Sequence, residues 1–408
     1  MKRWTPVTVG DLCDLQNGFA FKSKDYIDHS NTLSIRMSNI RPNGVFDPHH
    51  NIRFLPDEFT LKYEEYRLGE GDLIIAMTDM AGDPKILGVP TLVSGLNGRN
   101  FLLNQRVGRL CSFSEKVHVP YLRYYLSLPI TKRYYKSKGA GGVQINISKK
   151  DILSAKIPLP PLSEQKRIAD ILDKADAMRR KQKVAVELAD SLTQSIFLEM
   201  FGNPATNSMG WDVESGRNIF SDLTYGSSSK AFEMQTSGSL RILRIPNIIG
   251  GEVNWSDLKF VELTTRERDR LILKRDDLLF VRTNGNPEYI GRCARFDGAR
   301  EAIFASYLIR GRVDESIALK PEFLKQIIEH PTYRQEVRRE ARTTAGNFNL
   351  STAGIRKFQF IKPPLGLQNH FLKIVESNET LKTRQLVQLA KLDTLFNSLV
   401  QRAFKGEL

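Results

Sequence analysis

The sequence predicts an α+β protein: two repeated mixed α/β domains separated by two long coiled-coil helices. Three observations carry this. The second half of the chain repeats the first. Each half changes texture once, from short apolar runs broken by turn residues to one long amphipathic stretch. The two amphipathic stretches share a three–four apolar repeat in the same register.

The repeat is read from motifs in constant order. Pro160-Pro161-Leu162 falls on Pro363-Pro364-Leu365 at an offset of 203, and Gln165 then falls on Gln368. Asn146-Ile147-Ser148 falls on Asn349-Leu350-Ser351 at the same offset. Further upstream the offset drifts, as loop insertions make it: Asp72-Leu73 matches Asp277-Leu278 at 205, and Arg36 to Ile40 matches Arg244 to Ile248 at 208. Trp4 and Trp211 open the two copies. The boundaries are read as a globular domain over 1–160, a helix over 161–202, a second globular domain over 203–362 and a second helix over 363–408.

Within the first copy, Leu33–Met37 and Asp72–Met77 read as strands between Gly, Asn, Pro and Asp turns, and Pro120–Tyr135 as a helix. Ser163 is the expected N-cap of the first long helix, Glu164 and Asp170 favour its start, and Gly202-Asn203-Pro204 stops it. The second helix is expected from about Gly366 to Phe404, ended by Gly406. The first seam is read as Ile168, Ile171, Ala175, Met178, Gln182, Ala185, Ala189, Leu192 and Ile196. The second is Phe371, Ile374, Asn378, Leu381, Gln385, Gln388, Leu392, Leu395 and Leu399. Roughly 39 residues at about 1.5 Å each give ~58 Å, longer than most domains are wide. Gln182 and Gln385 are the midpoints, so an antiparallel pair brings them face to face at the dyad. Ile168 then lies near Leu399, and Ile196 near Phe371.

At 408 residues and 46.4 kDa the chain is long enough for two or three domains. Its 60 Lys and Arg against 46 Asp and Glu give a net charge of +14, which favours a polyanionic partner and, most commonly, nucleic acid. The opening MKRWTPVTVGDLC has no apolar core of signal-peptide length, and no segment approaches 18 apolar residues, so no membrane partner is expected. Cys13, Cys111 and Cys293 are far apart and read as reduced thiols of a cytoplasmic protein.

Catalytic motifs are missing. There is no P-loop, no strand–GxGxxG–helix unit and no Asn/Asp-Pro-Pro-Tyr/Phe of an amino-methyltransferase. Asp57 with Asp83-Pro84-Lys85 makes only a forced metal-nuclease pattern, and His49-His50 sits in a turn where adjacent residues face apart. No catalytic residue and no metal ligand is therefore assigned.

The string PLPPLSEQKRIADILDKADAMRRKQ (159–182) resembles the region that follows a target-recognition domain in specificity (S) subunits of type I restriction-modification enzymes. The weaker KPPLGLQNHFLKIVESNETLKTRQ (362–385) stands where that family has its second such region. Val9-Gly10-Asp11-Leu12 and Asn17 to Lys22 look like the family's usual start. The second copy departs by placing Gly366-Leu367 where the first has Ser163-Glu164. The resemblance implies two target-recognition domains, each reading one half of a split double-stranded DNA site. It implies docking to two modification (methyltransferase) subunits and to restriction/motor subunits. S-adenosylmethionine, ATP and Mg²⁺ are then expected on those partners and no cofactor on this chain, a non-catalytic subunit. A self-sufficient DNA methyltransferase or nuclease, and a coiled-coil scaffold that does not touch DNA, are the competing readings.

Phosphate contacts come from Lys and Arg on loops, and base readout from Arg to guanine or Asn and Gln to adenine. On that chemistry the first-domain candidates are Lys22, Arg36, Asn39, Lys85, Gln105, Arg106, and Lys138 and Gln144 at the ends of a glycine-rich loop. In the second domain they are Lys230, Arg244, Asn247, Arg282, Asn284, Asn286, Tyr289, Arg292 and Asn347. Arg36–Asn39 reads equally well as structural, because it recurs at Arg244–Asn247. Positions that differ between the copies are the better specificity candidates.

Overall fold

The computed structural model describes residues 4–344 and 347–408. The chain divides into two compact units, Met1–Gln182 with Gln388–Leu408, and Lys183–Val387. Each mixes helices with antiparallel and parallel strands.

In the first unit four antiparallel strands lie in the order Asp14–Asn17, Val107–Cys111, Leu73–Ala76, Pro90–Leu92. A second sheet runs Phe54–Leu55, Thr32–Ile35, Asn100–Leu103, Arg67–Leu68, its two central strands parallel. Leu73–Ala76 is buried on both faces, which is why it reads as a continuous apolar run. Leu73 and Ile75 enter one core with Leu110, Leu122 and Ile157, whereas Ile74 and Ala76 enter another with Leu33 and Phe101. The second unit uses the same strand order: Phe220–Tyr225, Leu308–Val313, Leu278–Val281, Cys293–Arg295. Its central strand divides likewise, Leu278 and Phe280 into one core and Leu279 and Val281 into the other. Strands Leu240–Leu243 and Ala302–Phe304 pair in parallel, as Thr32–Ile35 and Asn100–Leu103 do.

Two glycines hold corresponding close approaches. A Cβ on Gly18 would lie 2.2 Å from the Asn104 carbonyl oxygen, and one on Gly226 would lie 2.2 Å from that of Phe304. Only glycine lets the strand end pass there.

The long helices are Leu162–Phe201 and Leu365–Lys405. Their ends fall as expected, with Gly202 and Gly406 both at φ +72°. Their starts differ from expectation. Ser163 is not the N-cap; the helix begins one residue earlier, behind Pro161, whose carbonyl accepts from the Glu164 and Gln165 N–H at 2.9 and 3.0 Å. Pro364 does the same for Leu367 and Gln368, so the loss of Ser163-Glu164 in the second copy leaves the start intact. The helix expected over Pro120–Tyr135 is two, Val119–Leu126 and Pro129–Lys138, because Pro129 opens a new first turn.

Each helix start is latched to its own unit by a buried glutamine. Gln165 Nε2 donates to the Lys116 and Pro160 carbonyls at 2.8 and 2.9 Å, and its Oε1 accepts from His118 N–H at 2.9 Å. Gln368 repeats this with Ala318, Pro363 and Lys320 at 2.9, 2.8 and 3.0 Å.

Within each unit the N-terminal part of one helix packs on the C-terminal part of the other. Ile168 and Leu172 share a core with Leu399, Val400 and Ala403, and Ile196 and Phe197 share one with Phe371 and Val375. The expected seam is half right. Ile168, Ala189, Phe371 and Asn378 are buried, and Ile196, Leu392 and Leu399 are half-buried, as are Gln182 and Gln385. The intervening track is displaced by one residue: Met178, Leu192, Leu381 and Leu395 are 57, 45, 46 and 50% exposed, and Ile171 and Ile374 are only half-buried. Their places are taken by Leu172, Arg179, Val186 and Thr193, and by Val375, Lys382, Leu389 and Phe396. A three–four alternation can begin on either step, and polar residues hold the true track. Arg179 stacks on Phe396 at 4.5 Å and pairs with Asp176 and Asp393, while Lys382 pairs with Asp190.

Candidate nucleic-acid interface

Both units gather their candidate residues around the end of the central strand. In the first, Met77 N–H donates to the Arg106 carbonyl at 3.0 Å and the Met77 carbonyl accepts from Ile147 at 2.9 Å. Those bonds join two loop groups. One is the 17–24 loop, Arg36 and the Asn104–Arg106 turn, linked by Gln105 N–H to the Phe19 carbonyl and Asn104 N–H to the Ile35 carbonyl, at 2.9 and 3.0 Å. The other is the paired loops 78–88 and 138–144, zipped where Gln144–Asn146 lies against Thr78–Met80. In the second unit Arg282 takes the place of Met77, bonded to Tyr307 and Leu350.

Lys22, Gln105, Arg106 and Lys138 are exposed. Lys85 is exposed but pairs with Asp83 at 3.2 Å. Its loop is shaped by the buried Asp79 carboxylate, which accepts from the Ile86 and Leu87 N–H groups. Gly141, at φ +138°, brings the 138–144 loop back on itself with no room for a Cβ beside the Gln144 carbonyl. Val143 at the tip is 80% exposed.

Asn39 and Asn247 are corrections. Both are buried, and their amides are used up inside the fold. Asn39 Oδ1 accepts from Arg36 N–H at 2.8 Å, and its Nδ2 donates to the Asp47 and His50 carbonyls at 3.0 and 2.9 Å. Asn247 does the same with Arg244, Asn254 and Ser256, each at 2.9 Å. They staple a loop and present nothing to a base, so the structural reading of the repeated motif is the one the geometry supports. Arg36 and Arg244 are half-committed: Arg36 Nη2 donates to the Asn51 carbonyl, and Arg244 Nη2 reaches both the carbonyl and the carboxylate of Asp257.

In the second unit Lys230 is exposed. Arg282 lies over Tyr225 at 4.5 Å and donates to the Ser306 carbonyl, and Arg292 stacks on Tyr289 at 3.9 Å. Among the described residues neither arginine has a carboxylate partner in an ion pair, so each keeps its charge on a rigid platform. Asn284 Oδ1 accepts from Asn286 N–H and Asn286 Oδ1 from Glu288 N–H, both at 2.9 Å, so these amides shape the loop. Asn347 is exposed on strand Asn347–Asn349, which pairs with Thr283–Asn284. Ala345 and Gly346 of the expected Arg342–Asn347 loop lie outside the described residues.

Arg53 was not singled out by sequence reasoning. It is exposed and lines, with Arg36, Asn51 and Ile52, an open notch of about 320 Å³. Its signal is present in the repeat, since Lys259 is its counterpart. Among the described residues no three His, Cys, Asp or Glu side chains gather as metal ligands, and no helix is long and apolar enough to cross a membrane.

Residues 1–188 match the family model for the type I restriction modification DNA specificity domain. The chain is 25% identical to the type I restriction enzyme EcoKI specificity subunit of Escherichia coli K12, over 99% of this chain and 89% of that one. It is 24% identical to the StySPI specificity subunit of Salmonella potsdam over the same shares. Its fold is similar to that of the type I restriction-modification S subunit from M. genitalium (14% identity, 98% of this chain and 96% of that one, TM-score 0.57). It is similar also to a chain from a study of complex assembly and conformational transition of the type I R-M system (16% identity, 100 and 99%, TM-score 0.55). Full-length similarity to curated specificity subunits, a specificity-domain model matching residues 1–188 and a shared fold agree: the chain is similar along its whole length to type I restriction-modification specificity subunits.

Proposed function

We propose that this chain reads a bipartite double-stranded DNA target, one half-site per globular domain, and directs adenine methylation and ATP-dependent restriction by partner subunits. The domains are those of the sequence reading, target-recognition domains over 1–160 and 203–362, spaced by the two helices as a pseudo-two-fold antiparallel coiled coil with Gln182 opposite Gln385. Two modification subunits carry S-adenosylmethionine, and restriction/motor subunits carry ATP and Mg²⁺. The protein works in the cytoplasm and is itself non-catalytic. Lys22, Arg36, Lys85, Gln105, Arg106, Lys138, Gln144, Lys230, Arg244, Arg282, Asn284, Asn286, Tyr289, Arg292 and Asn347 are its candidate DNA-contacting residues.

The observation that carries this reading is the matched placement of basic and amide loops at the end of the same strand in both units, on a chain with a net charge of +14. Guanidinium and amide groups on rigid loops suit phosphate anchoring and base-edge readout. Methylome sequencing of a host carrying this chain with its partner subunits tests it. The expected result is one split motif, of which exchange of residues 1–160 changes one half only. Loss of both halves together, or methyl transfer or cleavage by the lone chain, overturns it.

A further inference from the structure

Three arginines converge at the C-terminal end of strand Thr32–Ile35. Arg36 follows the strand directly. Arg53 is brought in from one side, its carbonyl accepting from Ser34 N–H at 2.9 Å. Arg106 comes from the other, on the turn whose Asn104 N–H donates to the Ile35 carbonyl. Arg36, Asn51, Ile52 and Arg53 wall an open notch, and Arg36 Nε is buried there without a partner. Among the described residues none of Arg36, Arg53 and Arg106 has a carboxylate within ion-pair distance, and Arg36 Nη2 donates to the Asn51 carbonyl. Burial holds the Arg36 guanidinium below its ordinary range; the neighbouring Tyr26 phenol opposes this, and the like charges of Arg53 and Arg106 add to it. Like charges held together without a counter-ion favour binding an anion there.

The corresponding place in the second unit is neutralised. The register that sets Leu33 opposite Phe54 sets Arg241 opposite Phe260, so Lys259 stands for Arg53 and Asp257 for Asn51. Arg244 pairs with Asp257 at 2.9 Å and Lys259 with Glu233 at 3.0 Å. Tyr307, whose carbonyl accepts from Arg282 N–H as that of Arg106 accepts from Met77, replaces the third arginine. The same scaffold therefore carries an unpaired triad in one unit and internal ion pairs in the other.

We infer that the Arg36–Arg53 notch, with the charge of Arg106 nearby, is a seat for one DNA backbone phosphate, present in the first unit and absent from the second. The inference rests on the DNA-binding reading above. A guanidinium fork matches a phosphate's geometry, and a DNA phosphate neutralised there gives up its condensed counter-ions.

The test is salt-dependent binding of a labelled duplex by the full chain assembled with its partner subunits, comparing wild type with R53Q, R53K and K259Q. R53Q is expected to make the slope of log affinity against log salt shallower by about 0.9, equally on target and non-target duplexes. R53K keeps the charge and restores most of the slope, and K259Q leaves it unchanged. An R53Q slope equal to that of wild type overturns the notch while leaving DNA recognition standing. A loss confined to the target duplex reassigns Arg53 to a base edge and overturns the phosphate assignment. A flat wild-type slope overturns the DNA reading itself, and the notch with it.

Discussion

The two units share a scaffold and differ in what they mount on it. The buried Asn39 and Asn247 make the same three hydrogen bonds, Gln165 and Gln368 latch their helices in the same way, and Gly18 and Gly226 pass the same close approach. Around these matched points the charges change. The second unit ties its basic residues inward: Arg312 forks onto Asp277 with two 2.8 Å bonds, Arg310 pairs with Asp222, and Arg244 pairs with Asp257. In the first unit Arg109 reaches Asp72 at 3.3 Å, and among the described residues Arg36, Arg53 and Arg106 have no carboxylate within ion-pair distance. The lesson is a division of labour. Buried, hydrogen-bonded polar groups determine where loops run, and exposed charges determine what those loops can hold.

That division is most sharply tested at the glutamine latches. Gln165→Ala leaves the buried Pro160 carbonyl, the part-buried Lys116 carbonyl and the His118 N–H without their partner. Each orphaned group costs about 1–3 kcal/mol, so a loss of roughly 3–5 kcal/mol is expected in the first unit alone. Gln368→Ala should do the same in the second. Trp4 lies in one unit and Trp211 and Trp255 in the other, so tryptophan fluorescence during denaturation, with Trp4→Phe as reference, separates them. Equal loss in both units from one substitution would break the comparison.

Next in size are the loop staples. Asn39→Ala or Asn247→Ala is expected to cost about 2–4 kcal/mol and to lower DNA affinity on every sequence alike. A change in which base is preferred, with stability intact, would return these residues to direct readout.

A pH difference sharpens the contrast. Leu128 and His330 occupy the same place, before the proline that opens helices Pro129–Lys138 and Pro331–Glu340. His330 is buried against Phe197 with its Nδ1 at 2.9 Å from Thr332 Oγ1, and burial holds its imidazole below the ordinary value of 6.5. The unfolded chain therefore binds the proton more readily. This contribution to stability is complete above about pH 6.5 and is lost as pH falls from there through the lower folded value. Mild acidification should lower the melting point of the second unit in part through His330, and His330→Leu should remove that component. The half-buried His118 imidazole of the first unit, also held by burial below its ordinary value, is left in place. An unchanged acid response in the variant would show that another group is responsible.

The smallest effect discriminates between the two helix tracks. Met178→Gln and Leu395→Gln, on exposed positions, are expected within about 0.5 kcal/mol of wild type, whereas Leu172→Ala should cost about 2–5 kcal/mol. Similar costs at Met178 and Leu172 would restore the seam read from the sequence.

Much of the architecture was legible because it rests on local chemistry. Gly202 and Gly406 ended the helices as positive-φ residues do, and Leu73–Ala76 read as a strand because both its faces are buried. The ordered motifs from Arg36 to Gln368 fall at matched places in the two units, which share one strand order. What could not be read was set by tertiary partners. Ile171 beside Leu172 and Leu381 beside Lys382 offer two equally apolar or better-looking tracks, and ion pairs of Arg179 and Lys382 decide between them. Asn39 and Arg106 look alike as loop polar residues; only the three carbonyl and amide partners around Asn39 reveal that it is an internal fastener. Arg53 went unread because its meaning depends on two other arginines far away in the chain.

The Asn39 staple has a consequence for how such a protein can change. One buried amide ties the entry of the 36–50 loop to its exit by backbone atoms alone, at Arg36 and at Asp47 and His50. Backbone atoms are the same whatever side chains they carry. Exposed positions on that loop can therefore be exchanged by mutation or recombination without asking the chain to find a new path. The loop behaves as a socket of fixed shape that accepts interchangeable fittings, and novelty in what is presented need not be accompanied by a search for a new fold.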